Sequence, residues 1–343
     1  MQVWAAVDDV RMPLAQMPAH AQRAERLGFD GLIVPEAVYD AIPAATLALA
    51  STTKLRVATG VIVAFARSPM LVAQDVWALA QLSGGRFAIG LGPQVKGNVE
   101  GRFGMPWSAP ASRMRDYVGA LRACFESFQM GTPLAYTSAS YSLSRMQPFF
   151  KPDALPPAHA RIEVWLGAIG PRMTAVAGEV ADCVIAHPTN SSPTYLRDAM
   201  RPRIAAAAEQ VGRPASAVRV IANPMVATGP DAASVAQERE AARDVLAFTY
   251  STPAYWGTLE HHGWGEVGRA LQGKTRAGDW AGMRALVTDE MLDALVPSAP
   301  FGEIAGRIRA RYGGVADGIS LRMPADPAQD ARFTRVVDAI RDA

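Results

Sequence analysis

Two carboxylates stand where acid–base chemistry could be run. Asp8 ends the apolar run Val3 to Val7, and Glu36 follows the run Phe29 to Val34 across Pro35. Carboxylates just past the ends of two strands can divide the roles of acid and base; the same residues could equally cap loops or pair with arginine. Three glycine-bearing segments offer a second chemistry, the holding of a flat ring. They are Thr59-Gly60-Val61-Ile62-Val63-Ala64-Phe65-Ala66-Arg67-Ser68-Pro69, Leu82-Ser83-Gly84-Gly85-Arg86-Phe87-Ala88-Ile89-Gly90-Leu91-Gly92, and Trp165-Leu166-Gly167-Ala168-Ile169-Gly170-Pro171-Arg172-Met173. Each reads as a strand ending in small residues, where bare backbone lets a ring approach. In the third, Pro171 at a first helical position aims unpaired N–H groups at the strand ends, a seat for phosphate or another anion.

Other motifs fail on spacing. The glycine after Gly90-Leu91-Gly92 is Gly97, which breaks the dinucleotide fingerprint. There is no P-loop and no G-x-S-x-G elbow. His261-His262 is an adjacent pair with no cysteine, so no metal site is expected. His20 is predicted on the exposed side of the first helix.

The elements that must carry these residues alternate. Strands are predicted at Val3 to Val7, Phe29 to Val34, Leu55 to Val63, Phe87 to Leu91, Ile162 to Ala168, Asp182 to Ala186, Val218 to Val226 and Gly318 to Met323. Between several of them apolar residues recur at helical spacing, as in Leu14, Met17, Ala21, Ala24 and Leu27. Eight near-continuous apolar strands separated by helices predict a parallel (β/α)8 TIM barrel, one domain over residues 1–343, with a doubly wound sheet as the competitor. Two stretches interrupt the rhythm, about 94–159 after strand four and 231–310 after strand seven. The second is predicted to be mainly a helical outer layer or a subunit contact.

Of the 343 residues, 50% are hydrophobic and 19% are charged, enough for a large core and too little charge for a disordered chain. The net charge of +2 gives no reason to expect nucleic acid or acidic lipid as partner. The partner is expected to be a small molecule. Two isolated cysteines, no leader-like N-terminus and no membrane-length apolar run together predict a cytoplasmic protein.

The three glycine segments, with Gly28-Phe29-Asp30-Gly31 and Gln94-Val95-Lys96 to Arg102-Phe103-Gly104, resemble the luciferase-like monooxygenases. The likeness is greatest to the branch dependent on the deazaflavin coenzyme F420, which includes methylenetetrahydromethanopterin reductase and actinobacterial oxidoreductases. It runs over most of the chain and is weakest in 231–310. The resemblance implies an isoalloxazine-like ring over strand three, supported by a bulge with a non-proline cis peptide at Gly60-Val61. It also implies phosphate anchoring around Ala168, Ile169, Gly170, Pro171 and Met173, with Gly92 and Gln94, Val95 and Lys96 near the cofactor. A homodimer is implied as well.

Departures matter. Relatives often place a histidine after the acid of strand two, where this chain has Ala37; they place an acid after the strand-four glycines, where it has Pro93-Gln94; and Ala181-Asp182-Cys183 replaces Ala-Asp-Gly. The proton donor therefore does not carry over. His187, ending strand six, is the remaining group that titrates near neutrality, or else a hydrogen-bond partner behind the site. The resemblance implies hydride transfer between the deazaflavin C5 and a small organic substrate. The alternatives are an FMN-dependent monooxygenase and a non-catalytic cofactor-binding barrel.

Overall fold

The structure, a computed structural model, describes residues 1–7 and 9–342. Asp8 therefore lies outside the described residues. Eight strands form the barrel: β1 Gln2–Ala6, β2 Gly31–Val34, β3 Arg56–Thr59 resuming at Ile62–Val63, β4 Phe87–Gly92, β5 Glu163–Gly167, β6 Cys183–Ile185, β7 Arg219–Ala222 and β8 Gly318–Arg322. Each pairs in parallel with the next, and β8 pairs with β1, so the sheet closes. A helix follows every strand: α1 Met17–Arg26, α2 Ala41–Ala50, α3 Pro69–Ser83, α4 Pro110–Met130, α5 Pro171–Val180, α6 Arg201–Gln210, α7 Phe301–Tyr312 and α8 Asp330–Arg341. This is the (β/α)8 barrel expected. β7 stops short of Val226, since Pro224 has no N–H to give a ladder.

Inward side chains alternate along each strand and fill the barrel in layers. Trp4 and Trp165 meet edge to face at 4.8 Å, with Ile33, Ile185 and Ile221 in the same interior cluster. Trp4 needs its neighbour to be glycine: a Cβ on Gly31 would sit 2.2 Å from the indole. At the N-terminal end an ion cluster closes the barrel. Glu163 Oε2 accepts from Arg56 at 2.8 Å, Arg219 at 2.5 Å and the Trp165 indole at 2.9 Å. The guanidinium of Arg56 lies over Trp4 and that of Arg219 over Trp165.

A larger apolar layer joins barrel to helices. α2 was not foreseen, because Ala41-Ile42-Pro43-Ala44-Ala45-Thr46-Leu47-Ala48-Leu49-Ala50 is apolar on nearly every face and shows no period; Asp40 starts it by accepting from Ile42 N at 2.9 Å. His20 is half-buried rather than solvated, and its Nε2 is buried without a partner. Between β4 and β5 lie a short helix, Lys96–Gly101, and a small hairpin of Tyr136–Thr137 with Ser142–Leu143, besides α4. Between β7 and α7, helices including Ala232–Tyr250 and Gly265–Ala277 enclose their own apolar cluster around Leu246, Leu259, Leu271 and Met291. Among the described residues no helix is long and apolar enough to cross a membrane.

Candidate functional site at the barrel mouth

The C-terminal rim is built unevenly. On β3, β4 and β5 the residues at the mouth are Gly60 with Val61, Gly92 and Gly167; past the ends of β6 and β7 the chain continues to His187 and Asn223. One side of the mouth is thus nearly bare and the other polar.

The bare side turns on an interruption in β3. The Gly60–Val61 peptide is cis, as the resemblance implies. Between its pairs Ala58–Ala88 and Ile62–Leu91, β3 carries one residue more than β4, which is a bulge. The lost pairing is made good by Thr59. Its hydroxyl donates to Gly90 O at 2.9 Å and accepts from Gly90 N at 2.8 Å. The bulge turns Val61 inward over the barrel. A Cβ on Gly92 would lie 2.5 Å from Val61 Cγ2, and one on Gly167 3.2 Å from Val61 Cγ1. The sequence suggests that these glycines leave backbone bare for a ring. They instead make room for Val61, which forms the floor.

Beside this floor begins α5. Gly170, at φ 77°, precedes Pro171, and no side chain caps the helix start. That backbone conformation suits glycine, and it leaves the first-turn N–H groups open at the rim. No acid lies in the first turn to compete for them. Ala168 O accepts from Asn190 Nδ2 at 3.0 Å, while Asn190 Oδ1 is buried with no partner. Gln94 has φ 61° and uses its side chain on its own loop, accepting from Val95 N at 3.0 Å and Asn98 Nδ2 at 3.2 Å. Val95 and Lys96 are exposed, the first as the cap and the second as the first residue of the short helix that follows.

Glu36 lies beside the floor but is engaged. Arg67 Nη1 stands 3.0 Å from its Oε2, Val63 N donates to it at 3.4 Å, and Arg67 Nη2 reaches Asp40 at 2.7 Å. The carboxylate thus ties the end of β2 to the second half of β3. Of the two readings of Glu36, the arginine partner is the one the geometry shows.

On the polar side, His187 is held from two directions. Its Nδ1 accepts from Thr189 N at 3.3 Å and lies 2.8 Å from Thr189 Oγ1, capping the turn Pro188–Asn190. Tyr255, from the segment between β7 and α7, stacks on its ring at 4.6 Å and 2°. Burial pushes the imidazole pKa down to about 4, so it is neutral near pH 7. The same segment clamps the following turn: Tyr250 OH donates to Thr189 O at 2.8 Å, and His262 Nε2 lies 2.9 Å from Ser192 Oγ and stacks on Trp264. His262 is thereby a packing residue, and among the described residues no group of metal-binding side chains occurs. Arg67, Asn190 and Tyr255 were not foreseen as site residues. Arg67 falls inside a quoted segment without a role, and no spacing links Tyr255 to His187.

A family model described as luciferase-like monooxygenase matches residues 2–318. An uncharacterized protein of Mycobacterium tuberculosis (strain H37Rv) is 41% identical over 304 residues, covering 89% of this chain and 88% of that one. The 5,10-methylenetetrahydromethanopterin reductase of Archaeoglobus fulgidus is 28% identical over 309 residues, covering 87% and 86%. Among solved structures, the coenzyme F420 dependent tetrahydromethanopterin reductase of Methanopyrus kandleri superposes with a TM-score of 0.79 over 100% of this chain and 98% of that one, at 21% identity.

Proposed function

The chain belongs to the luciferase-like monooxygenase family, and on that premise we propose that it is an oxidoreductase that uses coenzyme F420 on a small organic substrate at the barrel mouth. The single observation that carries the cofactor is the floor made by Val61, which glycines on two neighbouring strands leave unobstructed and which lies next to an uncapped helix start. A planar ring fits the first and a phosphate the second. The buried, unpartnered Asn190 Oδ1 fits the same ligand, because a ribityl chain brings hydroxyl donors between ring and phosphate. A putative coenzyme F420-dependent oxidoreductase of Mycobacterium tuberculosis, 34% identical over 170 residues and matching 46% of this chain, supports F420 over other flavins.

When bound, the deazaflavin supplies a hydride at C5 or accepts one there. The protein's part is placement. Val61 would support the ring, Glu36 and Arg67 fix the strand that carries Val61, and the α5 N–H groups would hold the phosphate end.

The test is a titration of the purified protein with F420 and, separately, with FMN, followed by tryptophan fluorescence. Saturable F420 binding supports the proposal; tight FMN binding without F420 binding overturns it in favour of an oxygen-activating monooxygenase. Turnover then separates enzyme from cofactor carrier: reduced F420 is mixed with a panel of ketones and enones, and no oxidation across the panel marks a non-catalytic barrel.

A further inference from the structure

Three large apolar side chains stand together in water where the chain runs from α4 back to β5. Met130, the last residue of α4, is 70% exposed, and Phe149 and Phe150 are 89% and 59% exposed, with their rings edge to face at 5.2 Å. Single exposed apolar residues are ordinary, whereas a group of them marks a surface that meets something less polar than water. Lys151 joins the group to α4: its Nζ lies 2.9 Å from the point where a Cβ on Gly131 would stand.

The turn that carries the two phenylalanines is held at its base. Phe150 N donates to Gln147 O at 3.0 Å, which closes the turn. The chain just beyond is stitched to both flanking helices. Trp77 Nε1 on α3 donates to Asp153 O at 2.9 Å, and the Gln129 amide on α4 donates to Leu155 O and accepts from Leu155 N, each at 3.0 Å. Leu155 itself is buried. The rings therefore project from a fixed support. That support lies toward the closed end of the barrel, where α4 ends and where β5 begins with Glu163 of the ion cluster.

The charge of this segment says what the rings meet. Residues 144–161 include the cations Arg145, Lys151 and Arg161, all exposed, and one acid, Asp153. A second copy meeting the same surface about a two-fold axis would set these like charges against one another. Nor is there a socket for a phenyl ring in the cleft bounded by Arg197, Arg201 and Arg309, or in the one bounded by Arg243, Arg284 and Asp289, since charged groups line both. A projecting apolar tip with cations beside it suits a soft surface that is anionic outside and apolar within. We propose that Phe149 and Phe150 insert into the headgroup region of an anionic phospholipid bilayer, with Arg145 and Lys151 on its phosphates, so that the barrel docks on a membrane by its closed end. Apolar insertion and cation pairing are the two signals that together give reversible docking. The mouth then faces water, and ligands reach it from that side. The whole chain's net charge of +2 hides the segment, because acids elsewhere offset cations elsewhere.

The test is sedimentation of the full-length protein with vesicles of phosphatidylcholine alone and of phosphatidylcholine and phosphatidylglycerol in equal parts. Saturable binding to the anionic vesicles is expected, with little to phosphatidylcholine alone, and added salt should weaken it. The double variant Phe149→Ser with Phe150→Ser is expected to lower that binding by about tenfold or more, the loss of buried phenyl area. Arg145→Glu with Lys151→Glu should weaken it too, and neither pair should move the melting temperature, since all four side chains are exposed. No saturable binding to anionic vesicles, or binding that either double variant keeps in full, overturns the proposal. So does a wild-type dimer in light scattering that the phenylalanine variant converts to monomer, which makes the rings a contact between copies. If a variant does not fold, hydrogen exchange of the wild type decides: protection of residues 147–151 by anionic vesicles upholds the docking, and its absence overturns it.

Discussion

Val61 occupies the space that a side chain at position 92 would need: a Cβ on Gly92 would come within 2.5 Å of Val61 Cγ2. The glycine on β4 thus sets the height of the floor that β3 provides. Real Cβ atoms do not approach so closely, so Gly92→Ala must lift or turn Val61. Overpacking of this kind destabilises by about 1–3 kcal/mol. We expect Gly92→Ala to weaken F420 binding at least tenfold by fluorescence titration and Val61→Ala in the same chain to recover most of it. Unchanged affinity in the single variant would mean that the ring does not rest on Val61.

Thr59→Val removes the hydroxyl that serves both polar groups of Gly90 and leaves them buried without partners. Each such group costs about 1–3 kcal/mol. Urea denaturation should show a matching loss, and Thr59→Ser should recover most of it. Gly90→Ala is expected not to fold, because its Cβ would fall 1.9 Å from the Thr59 carbonyl oxygen, which belongs to the backbone and cannot swing aside.

Arg67→Met strands the Glu36 carboxylate, whose side chain is only 6% exposed. Removing one partner of a buried pair destabilises by about 3–5 kcal/mol. The double variant Arg67→Met with Glu36→Gln is expected to recover part of that loss, and a thermodynamic cycle from denaturant midpoints measures it. Additive single effects would show that the pair does not act as a unit.

Glu163 gives the acid limb of stability. Burial alone would raise its pKa, but the Arg56 guanidinium, the Trp165 indole N–H and Arg219 outweigh it and hold the carboxyl below the usual range. A depressed carboxyl contributes stability that is present above the unfolded value of 4.5 and lost as pH falls through the lower folded value. Glu163→Gln should therefore flatten the fall in stability below that pH, read from denaturation at a series of pH values.

His187 acts in the neighbouring window. Its pKa is pushed down by burial from 6.5 to about 4, so between these values the unfolded chain binds a proton that the folded chain refuses. Stability should fall as pH drops from 6.5 to 4, and the slope should lessen in His187→Phe. Imidazole NMR titration checks the folded value directly.

The barrel was legible because its strands are buried on both faces and read as apolar runs from Val3 onward. α2 was not, since an apolar alanine-rich helix carries no period. Within the site, Gly170-Pro171 was legible as a backbone feature, which follows from residue type, while the bulge and cis bond at Gly60-Val61 were implied by the resemblance alone. The meaning of Gly92 was not legible, because it depends on where a bulge on the adjacent strand delivers Val61. Likewise the partner of Glu36 was one of two open readings, and the choice of Arg67 is made only when β2 and β3 lie side by side. The stacking of Tyr255 on His187 joins residues far apart in the chain, and nothing local to either one announces it.

The ion cluster of Arg56, Glu163 and Arg219 beneath the paired tryptophans has a consequence for traffic. Among the described residues it fills the N-terminal end of the barrel. A ring resting on Val61, as proposed, would therefore enter and leave through the mouth at the other end. Its route is set from the far end of the molecule, by a seal that does not touch it.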